Sequence, residues 1–339
     1  MSKSLRFLAL CAALSASALG PSEALAWGDS GHRMIGRLAV EALPDELPEF
    51  VRSARAAEDV GEFAREPDRS RGAGKVHDTT RDPGHFVDVD DDGKVMGGPA
   101  LDDLPPTRAD YETALRAAGS DTSRAGYLPY AIVDGFQQLA KDFAYWRAAV
   151  IGEEREKGDA RRAWIIGDRI RRERLILSDL GSLAHYVGDG SQPLHLTVHY
   201  NGWGDGPNPD GYTTQRIHVP FEGPYVSANV TEDEVRAAMR PGQACRRPIE
   251  TCTARYLQAT YATVVPFYEL EKAGGLKPGD PRGPRFAAER LAAGASQLRD
   301  LVVDAWRASA FQSVGYPASS LKDLRSGKAD AYAALHGLD

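Results

Sequence analysis

The stretch ARRAWIIGDRIRRERLILSDLGSLAHYVGDGSQPLH, residues 160–195, decides how this chain is read. Ile166, Ile170, Leu177, Leu180 and Ala184 recur at steps of three, four and seven. The segment from about Ala160 to Val187 is therefore expected to form one long helix. Its end carries His185 and Asp189, four residues apart and so on one face. Pro193 forces the chain out of the helix, and the bend can bring His195 back toward that face. Imidazole nitrogens and carboxylate oxygens are ordinary zinc ligands, which makes His185, Asp189 and His195 candidate metal ligands. The plainer alternative is a helix whose negative end is decorated with histidine.

The same periodicity extends outward. Ile132, Phe136, Leu139, Phe143, Trp146 and Val150 mark a second long amphipathic helix. A third starts near Arg285 and carries Phe286, Leu291, Leu298, Leu301, Val302 and Trp306. Gly31 to Leu43, Thr107 to Ala118 and Ile249 to Val265 also read as helical, and Thr231-x-x-Glu234 is a capping box ahead of another helix. No series of alternating strands, no internal repeat and no interdomain linker is evident. The expected fold is all-α, a single multi-helix domain over 27–339 with long irregular loops. Those loops are rich in Gly, Pro and Asp and fall at 64–106, 190–230 and 273–284, the kind of segment that usually carries function.

Composition narrows the function. The chain has 339 residues, 41 Lys+Arg against 48 Asp+Glu and a net charge of −7, with 42% hydrophobic residues. That excludes a disordered or fibrous chain, and it argues against a protein that grips long duplexes by charge alone. Residues 1–26 read as a secretory signal peptide. Lys3 and Arg6 form a basic start, Phe7 to Leu19 is apolar and small, and Ala24-Leu25-Ala26 is a cleavage signal. The expected product is exported to a periplasm or to the outside, begins at Trp27 and has no membrane anchor. Cys245 and Cys252 could close a small disulfide loop in such a compartment, or stay as two thiols.

Other pairs have ligand chemistry as well. Asp68 and His85 lie in the first irregular stretch, and His218-x-x-x-Glu222 has helical spacing provided Pro220 falls in a first turn. If Trp27 is the new terminus, its α-amine and carbonyl can chelate a metal with His32. Asp88 to Gly93 begins like a calcium loop, but Pro99 stands where a bidentate Glu is required. His199 is expected to have a structural or supporting role, and His77 and His336 to be surface residues. Tyr200, Trp203 and Tyr212 can either form an aromatic rim or pack their own loop.

Taken together, these residues resemble a known family. The series is an N-terminal Trp with His five residues later, Asp followed by His-Phe-x-Asp, His-x-x-x-Asp-x-x-Gln-Pro-Leu-His, and His-x-x-x-acid. It looks like the trinuclear-zinc single-strand nucleases of the S-one/P-one type, and also like their cousins, the zinc-dependent phospholipases C. The resemblance implies three Zn2+ ions. One would be held by Asp68, His85, His185 and Asp189, and a second by His195, His218 and Glu222. The third would be held by Trp27, His32 and a bridging Asp189. It further implies hydrolysis of single-stranded DNA and RNA to 5′-phosphate products through a zinc-activated hydroxide, with 3′-nucleotides as further substrates and no stable protein partner.

Within that likeness, Arg71 stands three residues after Asp68, where the nucleases carry a basic residue that can clamp phosphate. Phe86 can stack on a base, and Asp88 can accept from a base edge or orient the attacking water. Glu222 departs from the usual nuclease Asp and matches the phospholipases. A phospholipase C acting on phosphatidylcholine-type lipids, or a secreted zinc-binding protein without catalysis, are therefore the alternatives.

Overall fold

The computed structural model describes residues 27–204 and 206–337. The expected leader at 1–26 lies outside them. Five helices make the frame: α1 (Asp29–Glu41), α2 (Ala54–Phe63), α3 (Leu128–Arg155), α4 (Asp159–Asp189) and α5 (Arg282–Ser309). Pro129 lies in the first turn of α3, where a missing N–H costs nothing. Residues 156–158 alone separate α3 from α4, so the two run antiparallel as a helical hairpin. They pack on each other along their length, α5 lies across both, and α1 fits between α2 and α5. The core between them includes Ile35, Leu38, Val60, Ile132, Phe143, Leu180, Leu291 and Leu298, all essentially inaccessible to solvent.

The architecture is thus a mostly helical single domain. Among the described residues the only paired strands are the two-residue Ser313–Val314 and Ser319–Ser320. No helix among them is long and apolar enough to cross a membrane. The capping box forms as expected: Thr231 accepts from the Glu234 amide while the Glu234 carboxylate accepts from the Thr231 amide.

One expected helix is divided. Residues 249–265 form Ile249–Tyr261, and a second helix restarts as Val264–Lys272. Pro266 explains the break, because in a continuous helix its ring would meet the carbonyl of Ala262 and its missing N–H would leave that carbonyl unpaired. The structure also adds elements that periodicity left unmarked: α2, capped by Ser53, and two short C-terminal helices, Leu321–Ser326 and Ala331–His336. These C-terminal helices close a small second apolar cluster over Ala144, Ala148 and Ile151 of α3.

Candidate metal centre

α4 ends where Gly190 to Gln192 turn the chain and Pro193 begins a single tight turn, Pro193–His195. This places His185, Asp189 and His195 together, as their spacing predicts. The two irregular loops then close over the helix end. A short turn, Glu66–Arg69, brings in Asp68, and another, Asp82–His85, brings in His85. Backbone bonds lock the loops together: the Val87 amide donates to the His195 carbonyl at 2.9 Å and the Val198 amide to the Val89 carbonyl at 3.1 Å. His218 begins a one-turn helix with Pro220 in its first turn, and the chain widens into a π-type turn, Phe221–Tyr225, that carries Glu222. The condition on Pro220 is met.

α1 supplies His32. Its ring reaches α4 because Gly188 has no side chain there, and a Cβ at that position would lie 2.9 Å from His32 Nδ1. Trp27 is wholly buried, its indole N–H donating to Ser191 Oγ at 2.8 Å. The next amide, Gly28, donates to the Glu222 carbonyl at 3.1 Å, so the start of the described chain is tied to the 221–225 turn.

The side chains converge as three groups of possible metal ligands: His32, His185 and Asp189; Asp68, His85 and His185; His195, His218 and Glu222. His185 is common to two of them. Around the second group His185 Nε2 lies 2.8 Å from His85 Nδ1 and 3.3 Å from Asp189 Oδ2. His85 Nδ1 lies 3.1 Å from Asp189 Oδ2 and 3.7 Å from Asp68 Oδ1. His32 Nε2 is 3.5 Å from the other oxygen of Asp189, so the two oxygens of this carboxylate face different groups. His195 Nε2 and His218 Nε2 lie 3.7 and 2.9 Å from Glu222 Oε2.

These separations can be compared with metal geometry. Two ligand atoms on one tetrahedral zinc with bonds of about 2.0–2.2 Å lie roughly 3.3–3.6 Å apart. The observed 2.8–3.7 Å edges around His85 and His185 span that range. Both ring nitrogens of His32 and of His218, His195 Nε2, Asp189 Oδ1 and Glu222 Oε1 are buried without a hydrogen-bond partner. Such groups cost stability unless something pairs with them. The Glu222–His218 approach is close, yet it is not aligned as a hydrogen bond, as befits two lone pairs facing a common point.

The remote ring nitrogens are fixed by main-chain carbonyls. His185 Nδ1 donates to the Ala64 carbonyl at 2.8 Å, and His195 Nδ1 to the His85 carbonyl at 2.6 Å. Both bonds place the proton on Nδ1 and leave Nε2 as a bare donor of electrons, the form a metal requires.

Electrostatics favour the same form. Burial, then the neighbouring histidines, hold His32 and His85 far below the ordinary imidazole value, with Arg71 contributing to both. Burial takes His185 down to about 3. Asp189 is pushed well up by burial and by the charges of Asp68 and Glu222. Asp68 is pushed up to about 6, chiefly by burial and against the pull of Arg71. For Glu222 burial acts upward, but His218 and His195 outweigh it and hold the carboxyl at about 2. The lowered imidazoles of His32, His85 and His185, crowded against the raised carboxyls of Asp68 and Asp189, form a site that suits cations.

Arg71 lies beside the cluster, its Nε 3.2 Å from Asp68 Oδ1, with both side chains largely covered. Phe86 and Asp88 are different. Phe86 is half-buried beside Gly126, where a Cβ would lie 2.8 Å from the ring. The Asp88 amide donates to the Ala125 carbonyl. Burial and the charge of Asp90 push the Asp88 carboxyl up to about 8. Neither makes a described contact with the ligand side chains.

His199 takes the structural role, stacked on Trp203 at 3.9 Å with Nε2 3.0 Å from Asp91 Oδ1. Trp203 and Tyr212 are buried against Tyr268 and pack their loop, whereas Tyr200 stays exposed, edge-on to His218. His77 is half-buried and pairs with Asp78, while His336 is exposed and stacks on Tyr332. Cys245 and Cys252 form a disulfide. Sequence reasoning missed Ala64 and Tyr186, the latter edge-on to both His85 and His185. Ala64 acts through its carbonyl and has no side-chain signal, and Tyr186 was marked only by its place beside His185.

Comparison with known families and with curated proteins yields no match for this chain.

Proposed function

We propose that the protein is an exported, zinc-dependent phosphodiesterase that cleaves single-stranded DNA and RNA to 5′-phosphate products and also removes phosphate from 3′-nucleotides. One observation carries the reading: three ligand groups converge at one helix end, two of them sharing His185, and Asp189 stands with its two oxygens facing different groups. Single-ion sites do not need a carboxylate placed in this manner. Asp68, His85, His185 and Asp189 would hold one ion, and His195, His218 and Glu222 a second. His32, Asp189 and the main chain of Trp27 would hold the third, provided that cleavage after Ala26 frees the amine. Zinc so held supplies Lewis acidity, making hydroxide available near neutral pH and offsetting charge on the leaving oxygen.

The chain's own residues do the rest. The Arg71 guanidinium, beside Asp68, would donate to the non-bridging oxygens of a phosphodiester as they gain charge. The Ala64 and His85 carbonyls keep His185 and His195 from turning, so the ligand nitrogens need no reorganisation during turnover.

Glu222 keeps a phospholipase C reading alive, so the test sets lipid against nucleic acid. Zinc-loaded protein is assayed in parallel on a single-stranded oligonucleotide, RNA and phosphatidylcholine. Cleavage of the nucleic acids with 5′-phosphate ends supports the proposal. Lipid hydrolysis without nucleic-acid cleavage overturns it in favour of the phospholipase, and stoichiometric zinc with neither activity favours a binding protein.

A further inference from the structure

The chain carries a net charge of −7, yet one cavity outside the ligand cluster has the opposite character. It has a volume of about 590 Å³ and lies between residues 240–247, the Ile249–Tyr261 helix and the 297–304 stretch of α5. Four arginines, Arg240, Arg246, Arg247 and Arg255, line it against two carboxylates, Asp300 and Asp304. Both carboxylates are already engaged. Asp300 accepts from Arg240 and from Arg299, and Asp304 accepts the Cys245 amide at 2.7 Å. Arg246, Arg247 and Arg255 are exposed, and among the described residues no carboxylate pairs with any of them. The Cys245–Cys252 disulfide ties the segment bearing Arg246 and Arg247 to the helix bearing Arg255, so the three cations share one rim.

We propose that this arginine-rimmed cavity binds the phosphates of a nucleic-acid strand outside the hydrolytic centre; the identity of the strand rests on the nuclease reading above. Guanidinium groups without carboxylate partners are suited to phosphate oxygens, which they can grip in pairs. None of the exposed large apolar side chains among the described residues belongs to this rim, so nothing here is built to enter a lipid layer. One of the cavity's lining residues also reaches the ligand helix. Tyr256, which lines it, donates to the Val187 carbonyl at 2.6 Å, between His185 and Asp189 in the sequence. A strand held here is anchored against the back of the same helix end.

The test uses the zinc-loaded full chain and a fluorescent, hydrolysis-resistant phosphorothioate single strand, with affinity followed by anisotropy against salt. The variant Arg246→Gln/Arg247→Gln/Arg255→Gln is expected to bind at least ~10-fold more weakly, and its log–log salt slope to fall by about 2, as loss of three phosphate contacts on a single strand requires. The corresponding triple Lys variant is expected to recover most of the affinity, which separates lost charge from damaged folding. Equal affinity and equal slope in the wild type and the Gln variant overturn the proposal. So does loss of binding to phosphatidylglycerol vesicles with strand binding unchanged. Turnover of a 3′-mononucleotide, too short to span both places, reports on the nuclease reading separately: its absence in the wild type sinks that reading, whatever the anisotropy shows.

Discussion

His195 Nδ1 lies 2.6 Å from the main-chain oxygen of His85, so one candidate ligand is oriented by the backbone of another. The 82–85 turn and the 193–195 turn therefore cannot move independently. Displacing either disturbs ligands in two of the three groups, since His85 faces Asp68 and His185 while His195 faces Glu222.

Removing metal should destabilise the protein. An ion at 100 times its dissociation constant stabilises by about 2.7 kcal/mol, and in a chain of this size each kcal/mol is worth about 1.5 °C. Dialysis against a chelator is expected to lower Tm by about 4 °C per ion lost, with recovery on adding zinc. An unchanged melting curve in calorimetry would mean that the buried unpaired nitrogens of His32 and His218 do not face cations.

Arg71→Ala is expected to lower kcat on single-stranded DNA on the order of 10²–10³-fold, the usual effect of removing one preorganised donor to a developing charge. Zinc content, measured by atomic absorption, should stay at the wild-type value because the guanidinium ligates nothing. Full activity in this variant would remove Arg71 from the chemistry.

His199 is close to His195 in sequence but belongs to the Trp203 stack. His199→Ala should keep its metal and cost about 1–2 kcal/mol of stability through the lost ring contact and the bond to Asp91. Loss of a zinc ion from this variant would show that the separation between ligand and supporting histidine is misdrawn.

Asp179 lies on α4 against Asp142 of α3, and burial together with that neighbour pushes its carboxyl up to about 7, with Arg172 opposing. Below about pH 4 both folded and unfolded chains hold this proton. From there to about pH 7 the folded chain keeps it while the unfolded chain has released it, so this group's contribution to stability falls as pH rises. Asp179→Asn removes that dependence. Its Tm should match the wild type near pH 4 and exceed it at pH 8, and equal values at pH 8 would count against the carboxyl pair.

The frame was legible because three long amphipathic patterns, α3, α4 and α5, each bury a continuous stripe. The helix at 249–265 was misjudged at its end, where Pro266 outweighs an apolar pattern that runs straight through it. At the site, His185, Asp189 and His195 could be grouped from spacing and a proline. The others could not: His32 arrives by the packing of α1 on α4 at Gly188, and Asp68, His85, His218 and Glu222 only by the closing of two loops over the helix end, so a family resemblance had to suggest the set. The Ala64 carbonyl was invisible for a simpler reason: every residue has one. Trp203 and Tyr212 could be read as rim or as packing, and their burial against Tyr268 settles them as packing.

The most direct measurement is anomalous X-ray scattering at the zinc edge from crystals of the processed, zinc-loaded chain. Three peaks are predicted: one among Asp68, His85, His185 and Asp189, one among His195, His218 and Glu222, and one beside His32, Asp189 and the amine of Trp27. No peak among these side chains, with His185 Nε2 still hydrogen-bonded to His85 Nδ1 at 2.8 Å, would contradict the account.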